Sequence, residues 1–183
     1  RLGNILKGYP IYNEFLLGVT GVGPAMAGVM LSEIDITKAE YPSSLHKYAG
    51  LDVASDGQGR SRKKEHLEDS EYVDAEGEVK VKKGITFNPF LKTKLVGVLG
   101  SSFIKQSPDK CVYRKIYDDY KHRLEHMDAH KEKSKGHRHN MAVRYMVKMF
   151  LVDLYNAWRR IEGLPVAPTY SEAKLGKVHK IAA

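Results

Sequence analysis

Apolar positions in this chain step mostly at helical spacing. From His139 to Arg160, Ala142, Val143, Met146, Val147, Phe150, Leu151, Leu154, Tyr155 and Trp158 fall on one stripe, which predicts a long buried helix. Phe90, Leu91, Leu95, Val98 and Leu99 predict another, with Asn88 as its cap and Pro89 in its first turn. Gly97 and Gly100 beside that stripe suggest close packing against a neighbour. Ser107-Pro108 opens a third helix, from about Lys110 to Ala129, with Tyr113, Ile116, Tyr117, Tyr120 and Leu124 on one side. Nearer the start, Ile11–Leu17 and Pro24–Ile34 predict a helix pair around Thr20-Gly21-Val22-Gly23. The two glycines there permit positive φ or close backbone approach, and Pro24 suits a first helical position.

The remaining segments read as connections. Residues 1–10 are polar, carry Gly3, Gly8 and Pro10, and form an opening segment. Ser43 or Ser44 is placed to cap a short helix, Leu45–Ala49, which Gly50 ends. Ala54–Lys64 reads as a loop or strand edge. Glu71–Asp74 and Val79–Lys83 flank Ala75-Glu76-Gly77-Glu78 as a β-hairpin, with Lys80, Lys82 and Lys83 making one face basic. Lys131–Lys135 is a solvated charge run. Pro165 and Pro168 stop the last helix, and a polar, loose tail follows. The expected architecture is mainly α, a helix-hairpin-helix-containing bundle with a small β-hairpin insertion. Its single domain spans 11–163, with the helix-hairpin-helix at 11–34, a serine loop at 50–64 and the insertion at 65–83. Residues 164–183 are the tail.

Charge sharpens this picture. Lys and Arg number 30 against 22 Asp and Glu, a net charge of +8, which favours a polyanionic partner. The single cysteine, Cys111, excludes a disulfide within the chain and fits a reducing cytoplasm. No apolar run approaches ~20 residues, so no membrane span is expected, and the start does not read as a signal peptide. A chain beginning at Arg1 reads as a piece of a longer protein.

Several groups could carry chemistry. Ser61 lies in Gly57-Gln58-Gly59-Arg60-Ser61-Arg62-Lys63-Lys64, and Ser55 lies on the same loop. Attack by a serine on phosphate needs a base and positive charge around the phosphoryl oxygens. Arg60, Arg62 and Lys63 supply the charge, while nothing adjacent in sequence supplies the base. Gly21, Val22 and Gly23 lead into a helix N-terminus, a place where anions bind. Lys82, Lys83, Arg138 and Arg144 are further candidate phosphate contacts, with Lys148 one turn beyond Arg144. His122-Arg123-Leu124-Glu125-His126 has the H-x-x-E-H order of one class of zinc peptidase, but no third ligand is placed by the sequence. Cys111 has no base near it in sequence.

The order of the blocks carries a resemblance. TGVGPAMAGVMLSEI (20–34), SSLHKYAGLDV (43–53), the serine loop, KKGITFNPFLKTKLVGVL (82–99) and HRHNMAVRYMVKMFLVDLY (137–155) occur in sequence. Together they resemble the C-terminal transposase domain of the insertion-sequence one-hundred-and-ten family, the RNA-guided serine recombinases of mobile elements. Members typically read G-hydrophobic-G-P-x-x-A, an aromatic-Ala-Gly-Leu block, a Ser-Gly loop and a Lys-x-Gly-Asn helix start. The resemblance implies a DNA recombinase or transposase whose serine attacks a DNA phosphate and forms a phosphoserine intermediate during cleavage and strand exchange. It implies no cofactor held by this chain itself. Magnesium would be bound by the DEDD carboxylates of an N-terminal RuvC-like domain, supplied from a partner protomer of a homo-oligomer. Expected partners are DNA and an element-encoded guide RNA. This chain departs from the pattern in three places: Ser55 precedes Asp56 and Ser61 precedes Arg62 where Ser-Gly is usual, Gly84 is followed by Ile85 rather than Asn, and Glu65–Glu78 is longer than usual. Ser61, between glycine and arginines, is the favoured nucleophile and Ser55 the alternative. The rival reading is a non-catalytic helix-hairpin-helix nucleic-acid-binding module.

Overall fold

The computed structural model describes residues 1–176. Its first half is built from α1 (Leu2–Leu6), α2 (Pro10–Glu14), α3 (Pro24–Glu33) and α4 (Pro42–Tyr48). A hairpin of β1 (Glu68–Val73) and β2 (Val79–Gly84) follows. The second half consists of α5 (Pro89–Thr93), α6 (Gly100–Ile104), α7 (Val112–His126), α8 (Lys135–Ile161) and α9 (Tyr170–Leu175). The chain is mainly α with one small antiparallel hairpin, as the periodicity predicts.

The core is assembled on α8. All nine residues of its predicted stripe are buried, and Ser134 caps it by accepting from the His137 N–H at 3.1 Å. Phe103 of α6, Tyr113 of α7 and Phe150 of α8 pack with ring centroids 4.8 to 5.5 Å apart. The Tyr113 hydroxyl donates to Asp153 at 2.9 Å, giving that buried carboxylate a partner. At the far end of α8, buried Arg159 donates to the carbonyls of Ile36, Ala39 and Pro165, tying three chain segments together. Among the described residues no helix is long and apolar enough to cross a membrane.

α5 and α6 are joined by a π-helical stretch, Lys94–Leu99, which sets Gly100 against α8. A Cβ at Gly100 would lie 2.9 Å from Val143 Cγ1, so the expected close packing is real there. Gly97 faces open space, and that part of the expectation is corrected. Asn88 caps α5 as predicted, accepting from the Leu91 N–H at 2.9 Å.

Other boundaries move for physical reasons. The opening segment is helical because Leu6 has a core to reach. The first helix of the predicted pair stops at Glu14, and a 3-10 turn, Leu16–Gly18, replaces its end. Neither Ser43 nor Ser44 caps α4, since Pro42 already begins it. Ser107–Lys110 forms a turn before α7 rather than its first turn. Part of the predicted tail forms α9, held by a Thr169–Glu172 capping box. Residues 177–183 of that tail lie outside the described residues.

The β-hairpin stands off the body, exposed on almost its whole surface. Its register pairs Tyr72 with Lys80 and Ser70 with Lys82. Lys80 and Lys82 therefore share a face, with the Lys82 ammonium 4.6 Å from the Tyr72 ring centroid. Lys83 falls on the opposite face with Val79 and Val81, so the basic face holds two of the three predicted lysines.

Candidate active site

The serine loop doubles back on itself. The Ala54 N–H donates to the Gln58 carbonyl at 2.8 Å and the Arg60 N–H to the Asp52 carbonyl at 3.0 Å. Gly57, with φ +77°, makes the turn between them, and the Asp56 side chain accepts from the Gln58 N–H at 2.8 Å. Arg60 closes the base of the loop, bridging Asp52 at 2.9 Å and Glu68 at 3.0 Å. Past Ser61, a 3-10 turn, Lys64–His66, brings the chain round again and buries His66 under the loop.

These two reversals put Asp56, Ser61 and His66 in one hydrogen-bonded row. The Ser61 hydroxyl lies 2.9 Å from His66 Nδ1, and the Ser61 N–H donates to the same nitrogen at 3.0 Å. Because an amide N–H can only donate, Nδ1 is an acceptor. The ring proton then sits on Nε2, which donates to Asp56 Oδ2 at 2.9 Å. That bond is the main cause holding the Asp56 carboxyl below its usual range, with the Gln58 N–H and Lys63 adding to it. The Lys63 N–H donates to Ser61 Oγ at 3.2 Å and so faces any negative charge that grows on that oxygen. A serine, a histidine aimed at it through a lone pair, and a carboxylate fixing the tautomer are the parts of an activated nucleophile. No base is adjacent to Ser61 in sequence, but the fold brings His66 Nδ1 to 2.9 Å from its hydroxyl.

Ser61 and His66 line a cavity of about 780 Å³ between the serine loop and α8. Lys63 lies on the loop side, and Lys133, His137, Arg144 and Lys148 line the other. Among the described residues Asp52 is the one carboxylate in the lining, and its Oδ2 is held by Arg60. The cations are crowded. Burial lowers the Arg144 guanidinium, and burial followed by repulsion from Arg144 lowers the Lys148 ammonium. Close by, Lys92 donates to the Arg60 carbonyl at 2.6 Å, and burial with Arg144 repulsion brings it down to about 8. Gly59 lets Arg144 approach the loop: a Cβ there would sit 2.7 Å from the guanidinium carbon. A cavity with this surplus of partly desolvated cations suits an anion.

The structure separates the predicted residues. Ser61, Lys63 and Arg144 meet at the cavity; Arg62 is exposed nearby but does not line it. Ser55 is exposed and outside it, which favours Ser61 of the two serines. Arg60 does not line the cavity, and two carboxylates hold its guanidinium. The Arg138 guanidinium donates to the carbonyls of His130, Lys131 and Lys133, fixing the chain before α8. Lys82 and Lys83 lie on the hairpin, away from the cavity lining.

Gly21, Val22 and Gly23 do not line the cavity either. Gly21 has φ +100°, its Cα packs against the Phe103 ring, and its carbonyl accepts from Ser102 Oγ at 2.7 Å. The hairpin is therefore seated on α6, while Gly23 is exposed at the N-terminus of α3. His122 and His126 lie on α7 with ring centroids 4.1 Å apart and planes tilted by 33°, and among the described residues no three His, Cys, Asp or Glu side chains form a metal-binding group. Cys111 is buried, with its thiol on the Thr20 carbonyl.

His66 and Asp56 are the residues that sequence reasoning missed. The available signal was their spacing, since Asp56, Ser61 and His66 are each five apart. Comparison of the chain with protein-family models, with curated proteins and with solved structures found no match.

Proposed function

We propose that this chain is the serine-bearing domain of a DNA recombinase or transposase, and that Ser61 attacks a DNA phosphate to form a phosphoserine intermediate. The observation that carries the reading is the Ser61 hydroxyl, hydrogen-bonded to His66 at the edge of a cavity walled by lysine and arginine. A phosphodiester is an anionic electrophile, and this arrangement offers a nucleophile on one side and positive charge on the other. The net charge of +8 and the five ordered sequence blocks support the same substrate class.

In the proposed step, Ser61 Oγ bonds to phosphorus and the bond from phosphorus to the leaving deoxyribose oxygen breaks. The serine proton passes to a base, and the leaving oxygen acquires a proton. Lys133, Arg144 and Lys148 balance the charge on the non-bridging oxygens. The family that the blocks resemble binds magnesium with carboxylates of a RuvC-like domain, and pairs with DNA and a guide RNA. The described residues of this chain do not fit such a metal, so no step here runs through it.

The test is covalent capture. A DNA duplex with a bridging phosphorothiolate at the scissile position releases a thiolate that does not religate readily. Joined to the RuvC-like domain that the resemblance implies, the protein should form a denaturant-resistant complex with it, and Ser61→Ala should form none while keeping its fold; this chain alone is expected to be inactive on DNA. A Ser61→Ala protein that captures DNA as well as the wild type contradicts the reading. The helix-hairpin-helix binding module predicts DNA binding with no covalent complex in either protein.

A further inference from the structure

Ser61 sits in a network that is complete within fourteen residues of one chain, from Val53 to His66. We propose that this chain activates its own serine, with His66 as the general base and Asp56 as the residue that positions it. The proposal rests on Ser61 as nucleophile but goes beyond the phosphoserine reading. It makes Ser61 reactive toward electrophilic phosphorus in general, with the base supplied by the same chain.

The geometry carries this in three parts. Nδ1 lies 2.9 Å from the hydroxyl oxygen, within the range for direct proton transfer, and its one lone pair is shared between that hydroxyl and the Ser61 N–H. Its direction is fixed twice, by the Ser61 N–H on the same nitrogen and by Asp56 on the opposite one. The imidazole is 3% exposed, so the loop above it excludes most of the water that would compete for that lone pair. Asp56 meets solvent on its outer side and touches no reacting atom, so its role is to hold the ring and stabilise the imidazolium as it forms. The Lys63 N–H on Oγ and the cavity cations face the charge that develops during attack.

A fluorophosphonate ester tests this without DNA. Ser61 Oγ bonds to phosphorus, the P–F bond breaks, fluoride leaves, and the serine proton passes to His66 Nδ1 and then to water. Intact-mass and peptide analysis of the 183-residue protein should place the label on Ser61. Ser61→Ala should take up none, and Ser55→Ala should label at the wild-type rate. His66→Ala should label about a hundredfold more slowly, the usual size of a general-base contribution, and added imidazole should restore part of the rate. Such rescue is a readout that a purely structural role would not give. Should His66→Ala fail to fold, Asp56→Asn serves instead, because Asp56 is exposed; labelling slower than wild type is expected, and labelling at the wild-type rate would overturn the proposal.

An unlabelled wild-type protein, or His66→Ala labelling at the wild-type rate, overturns the proposal. The two readings fail separately. A protein that captures DNA through Ser61 yet resists the fluorophosphonate loses the in-chain base and keeps the recombinase reading. One that labels on Ser61 but never captures DNA keeps the base and loses the DNA substrate.

Discussion

Single side chains decide how this site behaves, and His46 shows how a titration reports on the wall behind the cavity. Its Nε2 lies 3.1 Å from the Lys148 carbonyl, and burial with repulsion from Lys148 lowers its pKa to about 4. The unfolded chain, with an ordinary histidine near 6.5, binds more protons than the folded one between those values. Stability should therefore fall as pH drops from 6.5 toward 4, by about 3 kcal/mol if this histidine acts alone. Urea denaturation across that window checks it, and His46→Gln should remove most of the slope. A variant as pH-sensitive as the wild type would show that His46 is not the group responsible. Gly59 makes a different point at this scale. Its φ needs no glycine, and its missing Cβ leaves room for the end of a flexible side chain, Arg144. Gly59→Ala should change stability by less than about 0.5 kcal/mol, while pushing the guanidinium out and weakening DNA binding. Thermal denaturation and fluorescence anisotropy separate the two effects.

Elements differ in how plainly the sequence announces them. The stripe from Ala142 to Trp158 predicts α8 because each of its apolar residues meets the same core, and periodicity is the direct image of that contact. Asn88-Pro89 marks the start of α5 because capping is local chemistry. The site itself is less legible. Ser61 and its cationic setting are visible as composition, but the base is not. Asp56 and His66 reach each other only because backbone bonds from Ala54 to Gln58 and from Asp52 to Arg60 fold the loop over. For Arg60 and Arg138 likewise, a sequence shows the charge and hides the carboxylates or carbonyls that hold it. In the glycine hairpin at 20–23, Gly21 takes a positive φ against the Phe103 ring, while Gly23 is exposed and has open space around it.

The cavity cations Arg144 and Lys148 stand on an α8 wall facing the serine loop, so the proposed DNA binding should have a definite salt dependence. Each phosphate neutralised by one of these groups contributes about −0.9 to the slope of log K against log salt. Arg144→Gln should reduce the magnitude of that slope by about one and weaken binding to all duplexes alike, as for a backbone contact. An unchanged slope would place the phosphates elsewhere, with the exposed hairpin lysines Lys80 and Lys82 as the next surface to vary.

The most direct measurement is the position of the covalent bond. Trapping the protein, joined to the RuvC-like domain, on phosphorothiolate DNA, digesting both components and sequencing the modified peptide by mass spectrometry identifies the residue that carries the nucleotide. The account predicts a single attachment at Ser61, in the peptide between Arg60 and Arg62 or an overlapping product of missed cleavage. Attachment at Ser55, at another residue, or at none would contradict it.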